Sequence, residues 1–284
     1  MTEQISPNPL FPGREFISTI LDALQTKQQM SGTMRRRYLQ RAAMAGMIVG
    51  LMYLSYFAVV AVFTAIPAGS TNLSGIGKLV GSLVFGFALV FIYYTKSELL
   101  TSNMMIVSIG MYHRGTSALK ALRLLAFCYL GNFVGGLVIA VLVRGTTLLD
   151  GSVRDTLIAT SEHKLSYLSQ GAFGWGDLFV RAIFCNFLIN LAMLLVYNGL
   201  IHDDFTKSIV MIMSVFLFAF QGFEHSVANT VVFTMAGLYG HLDVLDAVGN
   251  VVIVLLGNYV GGGVLIGLYY AYVNDERVRG RRAA

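Results

Sequence analysis

Glu224 and His225 stand side by side in AFQGFEHSVANTVV, residues 219–232, between two strongly apolar runs. A second carboxylate, Glu98, sits in YYTKSELLTSN, again flanked by apolar residues and followed by Thr101 and Asn103. A carboxylate beside an imidazole can move a proton or hold a metal. An ionisable group within an apolar span marks a functional pathway by default. A metal would want three or four ligands, yet the other histidines, His113, His163, His202 and His241, lie near loops. The sequence therefore predicts no metal and no cofactor, and leaves open proton handling or structural bracing by Glu224 and His225.

The elements that must position these groups are membrane spans. Of 284 residues, 56% are hydrophobic and 12% charged, against about 25% charged in a soluble domain. Stretches near 42–63, 79–110, 121–143, 178–200, 208–236 and 248–273 are each long enough to cross a hydrocarbon core of about 30 Å. The first 30 residues show no signal-peptide pattern and read as a solvent-exposed or interfacial amphipathic helix. Cys128 and Cys185 lie in apolar runs and read as packing residues. Fourteen of the 20 Lys and Arg residues fall in the N-terminal stretch through Arg41, the stretches near 113–123 and 201–207, and the C-terminal tail. By the positive-inside rule both termini are expected in the cytosol of a multi-pass plasma (cell inner) membrane protein. The net charge of +5 then reflects topology and lipid headgroups, and no nucleic-acid partner is expected.

The chain also matches itself at one offset. SELLTSN corresponds to FEHSVAN and LGNFVGGLVIAVL to LGNYVGGGVLIGL, with Glu98 and Glu224, Asn103 and Asn229, and Asn132 and Asn258 each 126 residues apart. RAAMAG at 41–46 matches RAIFCN at 181–186 more weakly. Two halves of three spans imply opposite orientations in the membrane, an inverted 3+3 repeat. The second and fifth runs exceed the length of one span, and each carries a polar interruption. Broken helices are expected there, with Glu98, Thr101, Asn103, Glu224, Ser226 and Asn229 satisfying the freed backbone groups. The predicted organisation is a cytosolic N-terminal segment (1–38), a six-span domain (39–273) and a basic cytosolic tail (274–284). Its halves run over about 39–143 and 177–273, joined by an outer loop, 144–176.

KSELLTSN, GNFVGGL, the HK pair at 163–164, CNFLINLAM, GFEHSVAN and GNYVGGGVLIGLYY together resemble the formate/nitrite transporter family over nearly the whole chain. The resemblance implies a homopentamer whose protomers are separate aquaporin-like pores for small monovalent anions: formate, nitrite, hydrosulfide, acetate or lactate. It carries the family's central histidine to His225 and its threonine to Thr101. The acidic residue falls on Glu224, the asparagines on Asn186 and Asn229, and the outer lysine on Lys164. It assigns the apolar constrictions to Phe85, Leu89, Leu99, Leu100 and Phe218. Two positions depart from the family pattern: Lys96 replaces a small residue, and Leu100 stands where Phe is common. The loop around SYLSQGAFGWG is longer than the pattern, and the residues offer no reason for it.

An isolated carboxylate among such side chains would cost tens of kcal/mol on a Born estimate of order of magnitude. Crossing as the neutral acid, with a proton taken from bulk water or from His225, the obvious switch, avoids most of that cost. Lys164 and Arg154 are candidate anion attractors outside, and Arg37, Lys96 and Arg41 inside. Leu100 in place of Phe leans the expectation toward formate and lactate over nitrite or hydrosulfide. A water or glycerol pore would show Asn-Pro-Ala loops, but Pro7, Pro9, Pro12 and Pro67 all lie outside the breaks. A membrane enzyme using Glu224 and His225 is the other alternative; the resemblance implies a transporter, not an enzyme.

Overall fold

The computed structural model describes residues 11–68 and 71–275. The basic tail from 276 onward and the first ten residues of the N-terminal segment lie outside the described residues. Among the described residues, six apolar helical stretches are long enough to cross a membrane: Arg35–Thr64, Ser74–Tyr94, Ala118–Arg144, Gly171–Tyr197, Asp204–Gln221 and Val244–Val273.

The helices run α1 (Arg14–Thr33), α2 (Arg35–Thr64), α3 (Ser74–Phe85), α4 (Phe87–Tyr94), α5 (Leu100–Tyr112), α6 (Ala118–Arg144) and α7 (Ser152–Ser169). They continue as α8 (Gly171–Tyr197), α9 (Asp204–Gln221), α10 (Ser226–Gly237), α11 (Val244–Asn258), a π-helical stretch Tyr259–Leu268, and α12 (Tyr269–Val273). A two-stranded hairpin, Pro67–Ala68 with Thr71–Asn72, joins α2 to α3. Helix starts are written in the local sequence. Ser117, Asp203 and Asp243 cap α6, α9 and α11 by accepting backbone N–H bonds from Lys120, Thr206, and Leu245 with Asp246. The Thr206 amide holds the Asp203 carboxyl below the usual carboxylate range.

Two expectations need correction. The N-terminal segment does not lie free at an interface: α1 buries Phe16, Ile17, Ile20 and Leu24, and the Phe16 ring meets Tyr270 edge-on at 6.0 Å. The interval 144–176 is largely helix, since α7 fills its centre and buries Leu157, Ser161, Lys164 and Tyr167. Its polar residues obscured an 18-residue helix whose buried side is narrow.

Spans pack at backbone distance where glycine permits. A Cβ on Gly135 of α6 would overlap the Ala43 carbonyl of α2, and one on Gly261 would overlap the Ile183 carbonyl of α8. Without a hydrophobic force between helices in lipid, such close approach supplies the packing energy. Gly176, by contrast, has open space around it within α8. Gly135→Ala is expected to lower stability by about 1–3 kcal/mol, while Gly176→Ala raises it by about 0.5–1 kcal/mol. Thermal unfolding in detergent reads both signs, and equal midpoints for the two variants would contradict the packing account.

Candidate functional site

The chain leaves helical geometry between α4 and α5, at residues 95–99, and between α9 and α10, at 222–225. Each interruption is held by one buried asparagine. Asn132 Nδ2 donates to the carbonyls of Ala42 and Glu98, both at 2.8 Å, and its Oδ1 accepts the Leu100 N–H at 3.0 Å. Asn258 Nδ2 donates to the carbonyls of Ala182 (2.8 Å) and Glu224 (2.9 Å), and its Oδ1 accepts the Ser226 N–H at 2.9 Å. The Glu98 and Glu224 amides donate to the Arg41 and Arg181 carbonyls. One amide thus satisfies three backbone groups that would each cost several kcal/mol if left bare in hydrocarbon.

The two carboxylates are buried and paired. Glu224 Oε2 accepts from Lys164 Nζ at 2.7 Å and from Asn229 Nδ2 at 2.6 Å. Asn229 also donates to Asn250 Oδ1 at 2.9 Å, and Asn250 donates to the Lys164 carbonyl at 2.8 Å. Glu98 Oε2 accepts from Lys27 of α1 and from Asn103 Nδ2, and Asn103 also donates to the Tyr38 hydroxyl. Helices α1 and α7 therefore each supply the lysine that makes a buried glutamate tolerable.

His225 occupies the N-cap of α10. Its Nδ1 accepts the Ala228 N–H at 3.1 Å, and Nε2 lies 3.0 Å from Thr101 Oγ1. With Nδ1 accepting, the ring's proton is on Nε2, which donates to Thr101. The Phe218 ring stacks on the imidazole at 6.0 Å.

Three cavities share lining residues in series past His225, and outer and inner refer to the faces that the positive-inside rule predicts. An outer one of about 620 Å³ is bordered by Tyr53, Lys78, Asp155, His163, Lys164, Glu224, Phe85 and Phe218, among others. An inner one of about 100 Å³ is bordered by Lys27, Arg41, Lys96, Glu98, Leu89 and Leu99, among others. Between them lies a chamber of about 20 Å³ lined by Val49, Phe85, Ala88, Leu89, Ile92, Leu99, Ile189, Val215, Phe218, His225 and Ala228. His225 is the single lining residue there with polar side-chain atoms. Phe85 and Phe218, perpendicular at 6.3 Å, border both the outer cavity and the chamber; Leu89 and Leu99 border both the chamber and the inner cavity.

Not every candidate borders this series. Leu100 is buried but absent from the borders of all three cavities; its backbone N–H serves the Asn132 clamp. Asn186 donates to the carbonyls of Asn258 (2.7 Å) and Thr101 (3.2 Å), and Asn229 braces Glu224, so both asparagines support the breaks. Lys164 borders the outer cavity, but Glu224 meets its charge, and Arg154 sits over the Tyr239 ring instead. Lys27, Asn190 and Asn250 carry no mark in the sequence pattern that singled out the others. Asn190 lies four residues after Asn186, on the same helix face, and also donates to the Thr101 carbonyl. Asn250 is a lone amide in an apolar run, a signal that could have found it. Among the described residues no three His, Cys, Asp or Glu side chains gather as a metal would require.

Comparison with known proteins agrees on one family. The formate/nitrite transporter family model matches residues 14–272. The formate channel FocA of Haemophilus influenzae is 31% identical over 252 residues, covering 81% of this chain and 84% of that protein. The nitrite transporter NirC of Escherichia coli is 29% identical over 243 residues, covering 84% of each. Among solved structures, an FNT family ion channel aligns with TM-score 0.77 at 24% identity, over 92% of this chain and 99% of its own. A pentameric formate channel with formate bound aligns with TM-score 0.67 at 24% identity, over 84% and 96%. At that identity the two structures share the fold.

Breaking the Lys164–Glu224 pair from one side strands a buried charge. Lys164→Met is expected to cost about 3–5 kcal/mol, while the double variant Lys164→Met, Glu224→Gln recovers most of it. The check is the thermal midpoint of each purified variant; a single variant as stable as the parent would show the pair to be dispensable.

Proposed function

The chain belongs to the formate/nitrite transporter family, a family of multi-pass membrane channels and transporters and not of enzymes, and from that premise we propose that it conducts formate and lactate, with acetate as a related cargo, as neutral acids. The observation that carries this reading is the chamber between Phe85–Phe218 and Leu89–Leu99, whose single polar lining residue is His225. A bare carboxylate there would lose nearly all its hydration, at an order-of-magnitude cost of tens of kcal/mol. Low dielectric also raises an acid's pKa from about 4 by up to roughly 3–5 units. The anion therefore takes a proton as it approaches the apolar gate.

In this reading the proton comes from vestibule water and not from the ring. Nδ1 of His225 is engaged by the Ala228 amide, and a neutral imidazole with one N–H is a poor acid. What it offers is that N–H, exchanged from Thr101 to a substrate oxygen inside the chamber. Glu224, Asn186 and Asn229 brace the breaks, and Lys164 joins them through its ion pair.

The proposed architecture is an inverted 3+3 repeat, halves about 39–143 and 177–273, with spans two and five broken at 95–99 and 222–225. The paired asparagine clamps at one sequence offset support it, as does the likeness to solved family folds. The proposed assembly is a homopentamer of aquaporin-like protomers in the plasma membrane. Both termini are cytosolic in this arrangement, with residues 1–38 and 274–284 forming the cytosolic segments. Nitrite or hydrosulfide is the second reading, because relatives are named for formate and for nitrite alike.

Proteoliposome flux of formate, lactate, nitrite and hydrosulfide at two pH values tests the choice. Carboxylate flux is expected to rise as external pH falls, and nitrite flux exceeding formate flux at both values would favour the second reading. His225→Phe should reduce carboxylate flux at least about tenfold, the scale of one lost hydrogen bond to a charged or polar partner. His225→Asn keeps a capping oxygen and an N–H donor, so its flux still rises with acidity. A pH-independent Asn variant would make the ring itself the proton donor.

A further inference from the structure

We propose that Tyr53 sets the largest acid the pathway admits, by holding the Phe85 ring of the outer gate; the inference rests on the pathway reading above. For cargo to pass between Phe85 and Phe218, either a ring or the backbone that carries it must give way. The backbone at Phe85 is fixed on two sides. Gly86 follows it directly, and a Cβ there would stand 2.9 Å from the Ile212 carbonyl oxygen of α9. A Cβ on Gly77, about two turns earlier in α3, would stand 3.2 Å from the Val60 carbonyl oxygen of α2. Helix α3 is thus wedged at backbone distance between two spans, and the gate opens by side-chain rotation.

What limits that rotation is the packing of each ring. Phe218 is stacked on the imidazole of His225 at 6.0 Å, and that imidazole is held by the Ala228 amide and Thr101. Phe85 meets the Tyr53 ring of α2 at 4.6 Å, the shortest ring-to-ring distance among the described residues. Tyr53 in turn packs against Phe57 at 5.3 Å and Tyr56 at 6.0 Å, and Phe57 is fully buried. A Phe85 ring that swings against Tyr53 therefore meets a side chain that is itself backed by two rings. The inner gate has no such brace. The match of RAAMAG with RAIFCN, at an offset of 140, pairs Val49 with Ile189, which both line the chamber, and Tyr53 with Met193. Met193 borders the inner cavity together with Leu89 and Leu99. Its unbranched thioether adapts to a neighbour that moves, so the inner gate yields where the outer one resists. The size limit falls on the outer gate, and Tyr53 decides how far that gate opens.

The test compares fluxes of formate and of the branched acid 2-hydroxy-3-methylbutyrate into proteoliposomes holding the full chain, at one pH and with the flux into protein-free liposomes subtracted. Nitrite is run alongside. Tyr53→Leu and Tyr53→Met remove the ring in two ways, and each should raise the ratio of branched-acid to formate flux about 10-fold, the scale on which a methylene discriminates in an apolar pocket. Tyr53→Phe keeps the ring and should hold the parent ratio. Phe85→Leu should raise the ratio too, and adding Tyr53→Leu to it should bring no further rise, because residues in contact do not act additively. An unchanged ratio in the ring-less variants, a Phe variant as permissive as Leu, or a full additional rise in the double variant would overturn the proposal. Parent protein that carries nitrite but not formate would sink the substrate reading alone, since the ratio is then read against nitrite. Parent protein that carries neither would overturn both.

Discussion

A polar group without a partner costs several kcal/mol in hydrocarbon, and the rest of this structure is arranged around that cost. Two chain segments leave helical geometry among the apolar spans, and each is held by one asparagine bonded to three backbone groups, Asn132 at 95–99 and Asn258 at 222–225. Glu98 and Glu224 lie beside these clamps and would be as expensive as bare charges. Helices α1 and α7 answer that need, each bringing one lysine to one glutamate. The two helices are therefore counterparts in this pairing, although α1 precedes the first span and α7 lies between the third and fourth.

The same cost governs the cargo. With Phe85, Phe218, Leu89 and Leu99 around the chamber, the protein offers an arriving anion no countercharge, only the N–H of a ring whose other nitrogen caps α10. In the proposed mechanism the substrate sheds its charge before it sheds its water. The charged side chains lie instead at the two mouths.

Much of this could be read in the residues. The 126-residue offset exposed both glutamates, both clamp asparagines and both interruptions, because these groups sit inside spans whose internal spacing is the same. The lysines escaped that logic: Lys27 lies 71 residues before Glu98, but Lys164 lies 60 before Glu224, so no constant offset links them. Helix α7 was hidden by its mostly polar surface, and with it the reason for the long interval 144–176. Leu99 and Leu100 could not be separated from sequence, because the helix begins between them. Leu99 stays extended and borders the chamber, while Leu100 turns into α5 and leaves it. Whether a lysine is free or paired depends on partners from distant helices, which is why Lys164 looked like an open cation although Glu224 meets its charge.

The central claim is that cargo crosses uncharged. Its most direct test is formate uptake into proteoliposomes at fixed pH while valinomycin and potassium gradients set the membrane potential, with an internal pH dye recording protons. The account predicts uptake indifferent to the potential, with one proton entering per formate. Uptake that follows the potential, without accompanying acidification, would show that the bare anion passes the Phe85–Phe218 gate and would contradict it.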